Sequence, residues 1–360
     1  MRTLFRNRIF DCSIKDFSAG FFRNRNAVGI DIGSYSTKVV VLNNASGSET
    51  DFPLHARESL QDSGVFKDKE IENFDSLCSG LLSLRDDFEL KGARTAVGVS
   101  GCAVFTSKLK IPLSADSGAA EDAVLLHLSK FFPEGLDGCR HSFYRHPQSP
   151  EDVLVAVARE DAVRDYVSAL RSSGFVPEVL DYDGFAIINS YNRRVSSPEG
   201  LTVLLNIGHS VTNLAVLKDG KTVFTRDLST ASGELTLKIA RAGDLTVDEA
   251  EAEKISLGAV SRREFLSAAA DFSLSILHEV KSNLEMFCDC GNDNLGKVVL
   301  SGGGSLLYGL REKVAETLGV DAEYADPLLA GRSGNGFPEG LSAKSAVAFG
   351  LALRMMKKAA

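Results

Sequence analysis

No stretch of this sequence approaches the roughly twenty consecutive apolar residues that a membrane-spanning helix needs. No unbroken apolar segment follows the basic residues near the N-terminus either, which argues against a secretory signal. There is no Cys-x-x-Cys pair, and none of Cys12, Cys78, Cys102, Cys139, Cys288 and Cys290 sits with a histidine at metal-ligand spacing. These cysteines read as reduced thiols in a cytosol, with Cys288 and Cys290 an incidental near-pair. Excess positive charge is missing too: the formal net charge is −8, so no nucleic-acid partner is expected. Neither a Walker A loop nor a strand-GxGxxG-helix fingerprint occurs. What is present is a 360-residue chain, 44% hydrophobic and 24% charged, which is globular composition with length enough for two lobes that each bury a core.

Residues 1–26 form an arm in which Arg2, Arg6, Arg8, Lys15, Arg23 and Arg25 interleave with phenylalanines. Phe10, Ile14, Phe17 and Phe21 are spaced for one helical face. Two readings stand: a membrane-surface or partner-docking helix, or an arm that is disordered or folded back on the domain. Beyond it, Ala27 to Gly33 reads as a buried strand, Gly33-Ser34-Tyr35-Ser36 as a tight turn and Thr37 to Asn44 as the antiparallel partner. The unit recurs at half-chain spacing: Ile32, Gly33, Thr37, Val41 and Leu42 are matched by Ile207, Gly208, Thr212, Val216 and Leu217. A duplicated element of this kind implies two similarly built lobes.

Between the hairpins the pattern predicts a strand over Thr95 to Gly101, a helix near Ala119 to Phe132, a strand over Val153 to Ala158, a helix closed by Gly174, and a strand over Phe175 to Leu180. After the second hairpin come a strand over Lys221 to Asp227, a mostly helical stretch over 233–290 and a strand over Lys297 to Leu300. That strand runs into Gly302-Gly303-Gly304 and a helix with Leu306, Leu310, Val314 and Leu318 on its buried stripe, and Ala343 to Met356 reads as a closing helix. The division expected is 27–200 for a first lobe with an inserted αβ subdomain over about 107–175, 201–342 for a second lobe with a helical subdomain over about 228–295, and 343–360 for a C-terminal helix returning to the first.

Polyphosphate binding needs backbone N–H groups turned toward the anion with no Cβ in the way, which glycine and small hydroxyl residues at a turn supply. The first hairpin offers Ser34, Tyr35 and Ser36, with Lys38 to neutralise phosphate and Asp31 placed to hold a hydrated Mg²⁺; the second offers Gly208, Ser210 and Thr212. Gly302, Gly303 and Gly304, opening a helix, are expected to make a third phosphate- or sugar-contacting turn.

Residues 27 to 42, 203 to 217 and 298 to 310 resemble, in this order and spacing, the phosphate 1, phosphate 2 and adenosine motifs of the actin, sugar kinase and heat-shock chaperone ATPase superfamily. Asp183-Gly184-Phe185-Ala186 and Ser345 to Leu351 resemble its two connecting helices. The resemblance spans residues 27 to 354 and implies an α/β, actin-like ATPase fold: two duplicated lobes around a nucleotide cleft. Lys110-Ile111-Pro112-Leu113, Phe131-Phe132-Pro133, Val153 to Arg159, Val179-Leu180-Asp181 and Val223-Phe224-Thr225-Arg226 are similar to segments of the PilM family of type IV pilus assembly proteins.

That likeness implies an ATP-binding cytoplasmic scaffold at the inner face of the inner membrane, with ATP and Mg²⁺ as cofactors. It would hold the cytoplasmic N-terminal peptide of a PilN-like inner-membrane protein beside the inserted subdomain, alongside other pilus components. It further implies that Glu279 and Ser282, a helical turn apart, line the adenosine site; the alternative is an ordinary amphipathic helix.

One departure stands out. The family's second phosphate motif normally begins with Asp, and here that position is Asn206, a weak metal-side group, with His209 where a smaller residue is usual. Loss of that charge predicts weaker Mg²⁺ dependence and slow hydrolysis or none. The competing readings are a small-molecule kinase of the same superfamily, an FtsA-like division scaffold, and an interaction module that binds nucleotide without turning it over. No sugar-kinase second signature supports the first; the short tail after Arg354 argues against the second, which would need the Phe-rich N-terminal arm as its tether instead; and Asn206 favours the third over an efficient enzyme.

Overall fold

The computed structural model describes residues 10–11, 26–42, 53–62, 64–67, 70–114, 117–146, 149–195, 199–287, 295–329, 337–338 and 340–356. The chain divides into two compact units, one of residues 1–32, 36–189 and 348–360, the other of residues 33–35 and 190–347.

The first unit carries β1 (Phe10–Asp11), β2 (Ala27–Ile32), β3 (Ser36–Leu42), β4 (Pro53–Leu60), β5 (Phe66–Lys67), β6 (Glu70–Ile71), α1 (Phe74–Asp87), β7 (Arg94–Val99), β8 (Val104–Lys110), α2 (Ser117–Leu128), β9 (Cys139–His146), β10 (Ser149–Arg159), α3 (Glu160–Ser172), β11 (Val176–Tyr182) and most of α4 (Asp183–Arg194). Its main sheet has the order β1-β11-β7-β2-β3-β4. β2, β7 and β11 run parallel, whereas β3 and β4 continue antiparallel from β2. The central strands are apolar on both faces, with Val28, Ile30, Val39, Val40, Val41, Ala96 and Val97 fully buried, as expected of strands covered on two sides.

β8, β10 and β9 make a separate antiparallel sheet. One face of α2, Ala120, Val124 and Leu128, packs on Val153, Val155 and Val157 of β10 and on Ile111, so this αβ module has its own core. Of the N-terminal arm only Phe10, Asp11 and Asn26 are described, the first two as β1. Phe10 and Asp11 are not helical but pair with Leu180 and Val179 at the edge of β11; Ile14, Phe17 and Phe21 lie outside the described residues.

The second unit carries β12 (Leu201–Ile207), β13 (Thr212–Lys218), β14 (Lys221–Leu228), α5 (Ser232–Gly243), α6 (Val247–Ile255), α7 (Arg263–Phe287), β15 (Leu295–Ser301), α8 (Leu310–Leu318), β16 (Asp321–Tyr324) and α9 (Leu341–Lys344). Its sheet, β14-β13-β12-β15-β16, repeats the first: an antiparallel β14-β13-β12 meander continued by parallel β15 and β16. The two hairpins also share a register, Ile32 facing Thr37 and Asp31 facing Lys38 in one, Ile207 facing Thr212 and Asn206 facing Asn213 in the other. One large cluster, built on Phe265, Phe272, Ile276, Leu235, Val203 and Leu300, fills the space between this sheet and α5 to α8.

Three local expectations change. The glycine run does not open an α-helix: Gly303–Leu306 form one 3-10 turn, and α8 begins only at Leu310 after Gly309, which takes a left-handed φ of 75°. The closing helix is broken at Ser345, where α9 ends and α10 (Ala346–Met355) begins. Gly101 leaves its strand for a 3-10 turn with φ at 75°. Within the first unit α10 lies directly against β2 and α4. A methyl group on Gly29 would fall inside the backbone of Ala348 and Ala352, and one on Gly350 inside the carbonyl of Ala186.

Candidate functional site

In the first hairpin Asp31 ends β2 and faces Lys38 across the ladder, Oδ2 to Nζ 3.7 Å, with both side chains largely covered. Burial pushes the Asp31 carboxyl above the usual carboxylate range, with Lys38 opposing and Glu58 adding to the shift. Lys38 also donates to the Ser36 carbonyl at 3.2 Å. The buried Ser36 hydroxyl donates to Glu58 Oε1 at 2.7 Å. Asp31, Ser36 and Lys38 therefore form one local network with Glu58 of β4.

The turn residues 33–35 cluster with the second unit. There the Ser34 and Ser210 hydroxyls are 2.6 Å apart, and the Tyr35 ring stacks on His209 with centroids 5.7 Å apart and planes 20° apart. Gly208 closes its own turn by donating its N–H to the Val211 carbonyl at 2.9 Å, and its carbonyl accepts from both the N–H and the hydroxyl of Ser232. Thr212, fully buried, donates its hydroxyl to the Thr230 carbonyl at 2.8 Å. Thr230 N–H is in turn 3.4 Å from Glu279 Oε2. Glu279 is thus brought to the second hairpin through Thr230. Ser282 pairs instead with His278, Oγ to Nδ1 3.4 Å.

The glycine run packs on the end of β12. Gly302 takes φ 82°, and a side chain there would meet the Ile207 carbonyl and Asn206 Oδ1; one on Gly304 would meet Ile207 and Ser232. Gly303 has no heavy atom within 4 Å of the Cβ position, so it faces open space. Gly302 and Gly304 are therefore needed for close approach, and Gly303 is the member of the run free to meet a ligand.

Two further groupings are assembled by strand order and helix packing. Asn206, Asn213, Asp227 and Ser301 stand in one row across four strands, each opposite the next in register. Ser301 Oγ donates to Asn206 Oδ1 (3.1 Å), Asn206 Nδ2 to Asn213 Oδ1 (2.8 Å), and Asn213 Nδ2 to Asp227 Oδ1 (2.8 Å). Beside the second hairpin, buried Lys254 and Glu251 of α6 form an ion pair at 2.7 Å. Thr236 donates to Glu251, Lys254 donates to Thr236 and to the Ser232 carbonyl, and His209 Nδ1 lies 4.0 Å from Glu251 Oε2. Burial lowers the Lys254 pKa, and Glu251 opposes the shift. Only the i, i+3 spacing of Glu251 and Lys254 was available in the sequence to suggest the pair.

For a divalent cation the donor set fits poorly. Asp31 already faces Lys38, the nearby Glu58 carboxylate is taken by the Ser36 hydroxyl, and both polar atoms of the Asn206 amide are engaged. Among the described residues no three His, Cys, Asp or Glu side chains gather as a metal site.

The family model for the type IV pilus assembly protein PilM matches residues 29–356. The chain is similar to the solved structure of the PilM-PilN type IV pilus biogenesis complex, with a TM-score of 0.80, 26% identity, and coverage of 92% of this chain and 98% of that one. Ethanolamine utilization protein EutJ from Carboxydothermus hydrogenoformans follows at a TM-score of 0.56 and 17% identity, covering 92% of this chain and 90% of the other. MreB5 of Spiroplasma citri bound to AMPPNP matches at 0.50 and 12%, covering 92% and 96%. These likenesses show the actin-like ATPase fold.

Proposed function

Because the chain belongs to the PilM family of type IV pilus assembly proteins, we propose that it is an ATP-binding scaffold that holds the cytoplasmic N-terminal peptide of a PilN-like inner-membrane protein. The observation that carries the nucleotide half is the duplicated hairpin. Two glycine-bearing turns stand at the same place on two sheets of the same strand order, and the second has the open Gly303 turn packed on its strand. A fold neighbour, MreB5, is described with AMPPNP bound, which supports the same reading. We assign phosphate contacts to Ser34, Tyr35, Ser36 and Lys38 of the first loop and to Ser210 of the second, whose shape Gly208 and Thr212 hold. The nucleoside side is assigned to Glu279 and to Gly303, in a turn that Gly302 and Gly304 pack onto β12, whereas Ser282, paired with His278, has the weaker case. Thr212 and the Gly208 N–H brace the loop from within.

The PilN half rests on the likeness to the PilM-PilN complex. The protein acts at the inner face of the inner membrane through that partner; no helix among its described residues is long and apolar enough to cross a bilayer. Since Asn206 is tied into the sheet, the role is that of a scaffold set by nucleotide rather than of an efficient hydrolase. Nucleotide changes the affinity for the peptide only by as much as the peptide distinguishes the two states.

Calorimetric titration of ATP into the full chain tests the first half, with Lys38→Ala as the variant. Loss of one cation contact to phosphate is expected to weaken binding by about tenfold or more. An unchanged affinity in Lys38→Ala, or no ATP binding by the folded wild type, refutes the nucleotide reading. Titration of a synthetic PilN N-terminal peptide with and without ATP tests the second half, and no binding in either condition refutes it.

A further inference from the structure

The row Ser301, Asn206, Asn213, Asp227 crosses the second unit's sheet, and its chemistry admits one direction. An ionised carboxylate only accepts hydrogen bonds, so Asn213 must turn its Nδ2 toward Asp227. That leaves Asn213 Oδ1 facing Asn206, which must therefore present its own Nδ2. Asn206 Oδ1 is then aimed at the Ser301 hydroxyl and at Gly302, where a Cβ would stand 2.9 Å from it. The acidic group on β14 thus sets the orientation of an amide two strands away, at the mouth of the second phosphate hairpin.

We infer that Asp227 is a positioning residue: through Asn213 it locks Asn206 as a strut between β12 and the glycine turn, so that Asn206 does not serve a divalent cation and the nucleotide site binds ATP independently of Mg²⁺. The inference rests on the ATP reading given above. It also explains why the charge expected at position 206 cannot simply be put back. A carboxylate there would face Asn213 Oδ1. If Asn213 turned over to donate to it, its Oδ1 would confront Asp227, and either arrangement sets two acceptors against each other. Converting Asp227 to an amide at the same time reverses the row. Ser301 and Asn213 then both donate to the carboxylate at 206, and the amide at 227 donates to Asn213, so that no two acceptors face each other along the row.

The test is a set of four full-length proteins, wild type, Asn206→Asp, Asp227→Asn and the double variant, each followed by thermal melting and by ATP titration in Mg²⁺ and in EDTA. Wild type and Asp227→Asn should bind ATP within about threefold in the two conditions, whereas the double variant, with a charged carboxylate at 206, should weaken by about tenfold or more when Mg²⁺ is removed. Asn206→Asp should melt below wild type, and the double variant should melt above Asn206→Asp. Two results overturn the inference: Asn206→Asp melting like wild type while gaining the Mg²⁺ dependence by itself, or a double variant no more stable than Asn206→Asp. Strong Mg²⁺ dependence in the wild type overturns it as well. Failure of every protein to bind ATP would strike the nucleotide reading and with it the claim of Mg²⁺-independence, while the melting order separately reports on the row.

Discussion

Asp181 at the end of β11 and Arg354 in the last turn of α10 make an ion pair, Nε to Oδ2 2.7 Å, with side-chain exposures of only 0% and 5%. Asp181 Oδ1 also accepts the backbone N–H of Tyr182 at 2.8 Å. Replacing Arg354 by Met keeps the stem length and the packing but leaves a buried carboxylate without its cation. Breaking such a pair from one side costs about 3–5 kcal/mol. For a unit of this size that corresponds to a melting temperature lower by about 6–20 °C.

The deficit carries a pH signature. Burial raises the Asp181 pKa and Arg354 is the chief opposing influence, so Arg354→Met raises it further. A carboxyl with a raised folded-state pKa contributes stability that is complete below its unfolded value and is lost as pH rises through the folded value. The gap between Arg354→Met and wild type should therefore narrow as pH is lowered from about 8 to about 5. Asp181→Leu/Arg354→Met, which removes both charges, should recover most of the loss at every pH. Melting followed by circular dichroism reads all three. An Arg354→Met protein within about 2 °C of wild type throughout, or a deficit that widens as pH falls, refutes the reasoning.

Gly350→Ala should destabilise the first unit by about 2 kcal/mol or more in urea titration, despite alanine's better helix propensity, because the added methyl has no room beside the Ala186 carbonyl. Val155→Ala removes two buried methyl groups from the core of the αβ module and should cost about 2–3 kcal/mol, read as faster amide exchange in β8, β9 and β10. Native-state alkylation with peptide mapping should label half-buried Cys139 before Cys78, whose thiol is buried and whose pKa burial raises; equal rates would contradict the burial of Cys78.

Much of this fold was legible because its strongest signals are local. The strand-turn-strand units announce themselves through apolar runs on either side of a glycine turn, and their repetition implies two lobes before any contact is known. β9 was not legible. Its sequence, Cys139-Arg140-His141-Ser142-Phe143-Tyr144-Arg145-His146, has no apolar run, and it becomes a strand by pairing with β10. The glycine run misled in a different way. Glycines before an apolar stripe read as a helix start, whereas close packing of Gly302 and Gly304 on β12 imposes a 3-10 turn first. Among the site residues, the Asp31–Lys38 pairing follows from the hairpin register, which a two-residue period encodes.

The sequence by itself determined the two hairpins, their register, the apolar stripes of the helices and the chemical types gathered at the turns, since each depends on residues a few positions apart. Only the tertiary structure decided what those residues do. Strand order places Ser301 and Asp227 in one row with Asn206 and Asn213, and so supplies the hydrogen-bond partners of the Asn206 amide. It likewise joins Asp181 to Arg354 and lays Gly350 on Ala186. Those partners lie far apart along the chain, and no local periodicity encodes them. They meet because the apolar strands of each unit's main sheet are buried against covering helices, which brings together segments distant in the chain.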